Sequence, residues 1–173
     1  MLRSFFISMT LAMVGCGRAS SPPAPHPWKI GSEGRWLAAS LVPSDVTQVL
    51  AAQPGRPLIV AALWATWCEP CIAEMPELDA FQRAHPEVLV LGLATDPPSS
   101  NAAIQRVLDQ VRPTYAQARL EGGEGLFLRG LGFEWDGILP KTLAIGPGDL
   151  RLSLPSPVTR ATLEAALQRY LPR

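Results

Sequence analysis

Cys68 and Cys71 carry the clearest chemistry in this chain, within the stretch Trp64-Ala65-Thr66-Trp67-Cys68-Glu69-Pro70-Cys71. A continuous apolar run over 58–63 leads into it and a helical pattern over 72–84 leads out. Two cysteines separated by two residues, where a strand gives way to a helix, read as a redox dithiol. The unpaired N–H groups and partial positive charge of a helix start stabilise a thiolate at the first cysteine, and the thiolate is the nucleophile. The competing chemistry is half of a zinc site, which needs two further ligands. The chain offers only His26, His85 and Cys16 as additional soft donors. His26 stands in a proline-rich tract and Cys16 in an N-terminal apolar segment, so the redox reading is preferred and no metal is assigned.

The neighbours of the pair bear on its poise. Glu69 puts an acidic side chain beside the thiolate, which disfavours ionisation and makes the pair less oxidising than one flanked by neutral residues. Pro70 stiffens the turn. Glu74 follows Cys71 by three residues, one helical turn on the same face. That spacing fits both a proton partner for the second thiol and a first-turn acid that complements the helix dipole. Trp64 and Trp67 read as hydrophobic: one in the core, the other partly exposed beside Cys68 as a contact surface. His85 reads as a helix-end residue.

The elements that hold this pair follow in order. Residues 35–41 are expected to form a strand at the domain edge, and Ser44 to cap a short helix over 45–52. A turn over 53–57 precedes the central strand, 58–63. The first long helix carries Ile72, Met75, Leu78, Ala80 and Phe81 on its apolar face, is expected to kink at Pro76, and ends at His85-Pro86. Residues 88–94 are apolar enough for a strand buried on both faces, as in a parallel sheet. Residues 95–98 close it, and Ser99 or Ser100 caps a helix to about Val111 with Ile104, Val107, Leu108 and Val111 inward. A short edge segment over 115–118, a turn over 121–125, a short helix over 126–131, and a hairpin of strands 142–145 and 150–154 follow. Ser156-Pro157 is expected to start the last helix, whose buried stripe is Leu163, Ala166, Leu167 and Tyr170. Strand and crossover helix in alternation indicate an α/β fold.

The chain has 173 residues, which gives one domain plus an N-terminal extension. Lys and Arg together number 15, as do Asp and Glu, so no net field points to nucleic acid or an acidic substrate. Residues 5–14 form a hydrophobic run too short to span a bilayer and suited to a signal peptide's core. The run ends in Met13-Val14-Gly15-Cys16, which resembles the bacterial lipoprotein signal, with methionine where leucine is more usual. That resemblance implies removal of 1–15 and a lipidated Cys16. The alternative is an ordinary signal peptide cut nearby. Residues 16–27 form a polyproline-like tether, and 28–173 the folded domain. With Cys16 assigned to lipid, Cys68 and Cys71 are the only remaining thiols of an exported chain, too few for a disulfide framework.

The words at the site, Trp64 through Pro76, resemble the TlpA/ResA-like branch of the thioredoxin-fold thiol–disulfide oxidoreductases. The resemblance is strong over 58–78 and around 139–145. It implies a thioredoxin-like α/β fold, a central mixed β-sheet flanked by helices, with no cofactor. Cys68 would be the exposed attacking cysteine, Cys71 the resolving one, and Glu74 the manager of the buried thiol's proton. Leu139-Pro140 would be a cis peptide facing the dithiol, with the Leu139 backbone free to pair with a substrate strand. General thioredoxins place a buried aspartate where this chain has Ala62. The implied function is an extracytoplasmic reductase, facing the periplasm and lipid-anchored to the cell membrane or outer membrane. Its partners would be cysteine-containing exported proteins, such as apocytochrome c, and a membrane electron donor. The alternatives are a dithiol oxidase or isomerase, and a copper(I) carrier using the same cysteines.

Overall fold

The computed structural model describes residues 36–41, 58–146 and 148–171. The segment around Cys16, the helix expected over 45–52, the turn over 53–57 and His26 lie outside them. Six strands form one mixed sheet in the order β1-β4-β3-β2-β5-β6: β1 Trp36–Leu41, β2 Ile59–Trp64, β3 Leu89–Ala94, β4 Ala116–Leu120, β5 Lys141–Ile145 and β6 Arg151–Leu154. The first four of these in spatial order run parallel, and β5 and β6 are antiparallel to their neighbours. The helices are α1 Glu69–Ala84, α2 Asn101–Val111, α3 Glu124–Gly130 and α4 Arg160–Leu167.

Strands β2 and β3 are buried at every position, which is why they read as continuous apolar runs rather than alternating ones. Period two divides their side chains between two cores. Ile59, Ala61, Leu63, Leu89, Leu91 and Leu93 meet Phe127 and Leu128 of α3. Leu58, Val60, Ala62 and Val90 meet Leu78 and Phe81 of α1 and Leu163 and Leu167 of α4. A third cluster, Trp64, Met75, Ala94, Ile104 and Leu108, packs around both cysteines.

Three expectations change. The segment expected at an edge over 115–118 is the inner strand β4, because β1 pairs outside it. The last helix starts at Arg160 rather than after Ser156-Pro157. Thr159 is its N-cap, with a capping box to Thr162, while the Ser156–Pro157 peptide is cis and precedes it. The Val158 N–H is held by Glu74, 84 positions away in sequence, so the helix begins only beyond that tie. Ser100 occupies the N-cap position of α2 without a side-chain hydrogen bond, since a 3-10 turn over Pro98–Ser100 leads directly into the helix. The span of α1 continues past Pro76, where the kink is expected, to Ala84, and Pro76 itself is exposed.

Candidate active site

Cys68 is the N-cap of α1, and its Sγ accepts the Cys71 backbone N–H at 3.3 Å. Pro70 occupies the first turn, where a missing N–H costs nothing, and Glu69 beside it is exposed. Cys68 and Cys71 are joined in a disulfide with Cα atoms 5.3 Å apart. The sequence therefore places the pair correctly on the element that can stabilise a thiolate.

The expected exposure of Cys68 does not hold in this disulfide form: it is 4% exposed, against 1% for Cys71. Its sulfur is tied to Cys71 and packs with Trp64, Met75 and Ile104. Exposure falls instead on the preceding residue, Trp67, at 74%. Trp64 is buried in the cluster around the cystine, and its Nε1–H donates to Gln117 Oε1 at 3.2 Å. Gln117 lies opposite Gly92 in the β3–β4 ladder, and a Cβ on Gly92 would collide with the Gln117 amide.

The Leu139–Pro140 peptide is cis. Pro140 is buried at the start of β5, and Leu139 packs against the cluster containing both cysteines. Ile138 just before them is exposed. Asp136 shapes this segment by accepting the Ile138 N–H at 3.2 Å and Lys141 Nζ at 2.9 Å. Those hydrogen bonds hold its carboxyl below the ordinary range, the lysine contributing most.

Glu74 is 3% exposed. Its Oε2 accepts the Val158 N–H at 2.9 Å and its Oε1 accepts the Thr142 hydroxyl at 3.3 Å. Burial pushes its pKa above the ordinary 4.5, opposed by the hydrogen bonds from Val158 and Thr142. The alternative of a first-turn acid complementing the helix dipole does not hold, since the helix starts at Glu69 and Glu74 lies beyond its first turn. Thr142 is the ladder partner of Ala62, so the buried carboxylate reaches the row of the sheet where Ala62 offers no acid of its own. No hydrogen bond joins Glu74 to either cysteine in this disulfide form.

His85 stands at the opposite end of α1, its ring tilted against Phe81 at 4.7 Å and 3.2 Å from Glu87, away from the cystine. Among the described residues no three His, Cys, Asp or Glu side chains gather as metal ligands, and no helix is long and apolar enough to cross a membrane. One site residue escaped the sequence reading. Asp96 appeared there only as part of a strand-closing turn, yet it is buried and takes two hydrogen bonds from Thr66. An acid just after an apolar run is the one local signal, and its partner lies 30 positions away.

A cystine at the helix N-cap on a mixed sheet, with a cis-proline segment packed beside it, has the architecture of the thioredoxin-like thiol–disulfide oxidoreductases. The likeness expected to TlpA/ResA-like proteins holds. Among solved structures, the chain is similar to a thioredoxin-related protein from Neisseria meningitidis serogroup B. That match has 28% identity and a TM-score of 0.59, over 70% of this chain and 89% of that one. It shares its fold with a thioredoxin-family thiol:disulfide interchange protein from Chlorobium tepidum, at 19% identity and TM-score 0.54, over 68% and 82% of the two chains. A secreted Mycobacterium tuberculosis disulfide oxidoreductase matches in fold at 19% identity and TM-score 0.51, over 66% and 82%. No protein-family model and no curated protein sequence matches the chain.

Proposed function

We propose that the protein is an exported, lipid-anchored thiol–disulfide reductase acting on oxidised cysteine pairs of other exported proteins, apocytochrome c among them. The observation that carries this reading is the Cys71 N–H aimed at Cys68 Sγ at the N-cap of α1. That N–H and the helix terminus favour a thiolate at Cys68 once the pair is reduced. Cys68 thiolate attacks one sulfur of a substrate disulfide, forming a mixed disulfide and expelling the other substrate sulfur as a thiolate, which takes a proton from solvent. Cys71 then passes its proton to the Glu74 carboxylate and attacks Cys68 Sγ. The first substrate sulfur leaves as a thiolate, and the protein ends in the cystine. Two electrons pass from the dithiol to the substrate. Resetting takes two electrons and two protons from a membrane dithiol donor.

Glu74 is suited to this proton because burial raises its pKa toward the range of a working acid or base. Trp67 and the backbone of Leu139 beside Pro140 form the substrate contact, with Glu69 and Pro70 setting the poise. The lipid anchor rests on the residues around Cys16, which would place the domain facing the periplasm on a proline-rich tether over 16–27. The same lines support a division into signal peptide 1–15, tether 16–27 and domain 28–173.

Equilibration with glutathione buffers tests the direction of transfer. A reductase gives a potential of about −250 mV, whereas a value of about −120 mV would make the pair an oxidase. For the anchor, Cys16→Ser is expected to move the protein from the membrane to the soluble fraction, and unchanged membrane retention would overturn it.

A further inference from the structure

We infer that Asp96 is a positioning residue for the dithiol, its buried carboxylate clamping the turn that presents Trp67 and Cys68. That turn is Ala65-Thr66-Trp67-Cys68, closed by the Cys68 N–H on the Ala65 carbonyl at 3.0 Å. Such a turn leaves the N–H of its second residue without an internal partner. Asp96 supplies one: its Oδ2 accepts the Thr66 N–H at 2.9 Å, and its Oδ1 accepts the Thr66 hydroxyl at 2.6 Å. The carboxylate stands just past β3, where the Thr95 N–H donates to the Trp64 carbonyl at 2.8 Å. The turn is thus fastened to the neighbouring strand on both sides of its first residue. Asp96 itself is 4% exposed, so this is a charge-assisted pair of bonds shielded from water rather than a surface contact.

The clamp matters because Cys68 works only from the N-cap. Its Sγ meets the Cys71 N–H from that position alone. A turn free to rock would carry the sulfur off the helix terminus, and the thiolate would lose its stabilisation. The bare charge of Asp96 acts in the opposite sense, since a nearby carboxylate disfavours a thiolate. Glu69 and Glu74 on α1 add to that unfavourable field in every variant considered. Position and charge therefore predict opposite shifts, which makes the role testable. The inference rests on the reading of Cys68 as the attacking thiol.

The test is the pH dependence of Cys68 alkylation by iodoacetamide in the reduced full-length protein, followed by mass spectrometry of the Cys68 peptide. Asp96→Ala is expected to raise the midpoint by about one unit, a roughly tenfold slower reaction below it. Thr66→Val, which keeps the backbone bond and loses the hydroxyl, is expected to raise it by about half a unit. Asp96→Asn keeps both bonds, its amide donating to the Thr66 oxygen, and is expected to stay at or below the wild-type midpoint. Phe81→Leu, a core change at the far end of α1, lowers stability without moving the midpoint. An unchanged or lowered midpoint in Asp96→Ala would overturn the role, as would an equal rise in Phe81→Leu. Should Asp96→Ala fail to fold, Thr66→Val decides: an unmoved midpoint there refutes the clamp. A wild-type Cys68 that titrates as an ordinary thiol, at about 8.5, would instead refute the activated-thiolate reading while leaving the shifts between variants to judge Asp96.

Discussion

Glu74 holds a carboxylate where water does not reach, between the first helix, the start of β5 and the residue before the last helix's cap. Burial raises its pKa, so the folded state holds the proton more tightly than the unfolded chain does. Glu74 therefore contributes stability that is fully present below the ordinary carboxylate value of 4.5 and is lost as pH rises through the raised value. Glu74→Gln is neutral throughout and can keep both contacts, accepting from Val158 and donating to Thr142. Urea titrations of the oxidised proteins should show the variant gaining on wild type as pH climbs above 4.5. A difference that does not vary with pH would contradict the buried-carboxylate account. Turnover in the same variant is expected to fall about 10- to 100-fold at neutral pH, since Cys71 loses its proton acceptor. Wild-type turnover across pH would remove Glu74 from the mechanism. The residue scale is also where the sequence was most and least legible. The cysteine spacing and the exposed Trp67 were readable locally, because a helix start and an adjacent ring involve only neighbours in the chain. The bonds of Glu74 to Thr142 and of Asp96 to Thr66 cross 68 and 30 positions, and no local pattern encodes them.

At the scale of elements, continuous apolar runs identified β2 and β3 because both faces of each are covered. β4 read as an edge because its status depends on β1, a strand that enters from far upstream and pairs parallel outside it. The last helix was placed too early because Ser156-Pro157 has a local start signature. The structure uses Thr159 instead, where the Thr159 and Thr162 side chains cap each other's backbone N–H groups. Thr159→Ala should cost about 1 kcal/mol of stability, read as a fall in urea midpoint, without altering thiol exchange. A neutral effect on stability would move the functional cap elsewhere. Gly92 offers a second element-level test, since any side chain there meets Gln117 opposite it on β4. Gly92→Ala is expected to destabilise the domain by about 1–3 kcal/mol, and Gln117→Ala in the same chain should recover part of the loss. Additive losses in the double variant would mean that the crowding lies elsewhere.

Viewed whole, the molecule gathers its chemistry at one end of the sheet. β2 and β3 deliver Trp64 and Ala94 there at their carboxyl ends, and antiparallel β5 starts there after the cis peptide. The cystine, Trp67, Asp96 and Leu139 thus come from three chain segments held by one strand ladder, while His85 marks the opposite end of α1. This convergence sets the cystine against Leu139 and directly after the exposed Trp67 in the chain. It also makes thiol exchange through Cys68 the claim on which the rest depends. The most direct measurement expresses Cys71→Ser in cells and looks for covalent adducts on non-reducing gels. Mixed disulfides with cysteine-bearing exported proteins are expected, released by dithiothreitol and absent when Cys68 is also replaced by serine. An absence of dithiothreitol-sensitive adducts, or adducts that persist without Cys68, would contradict the account.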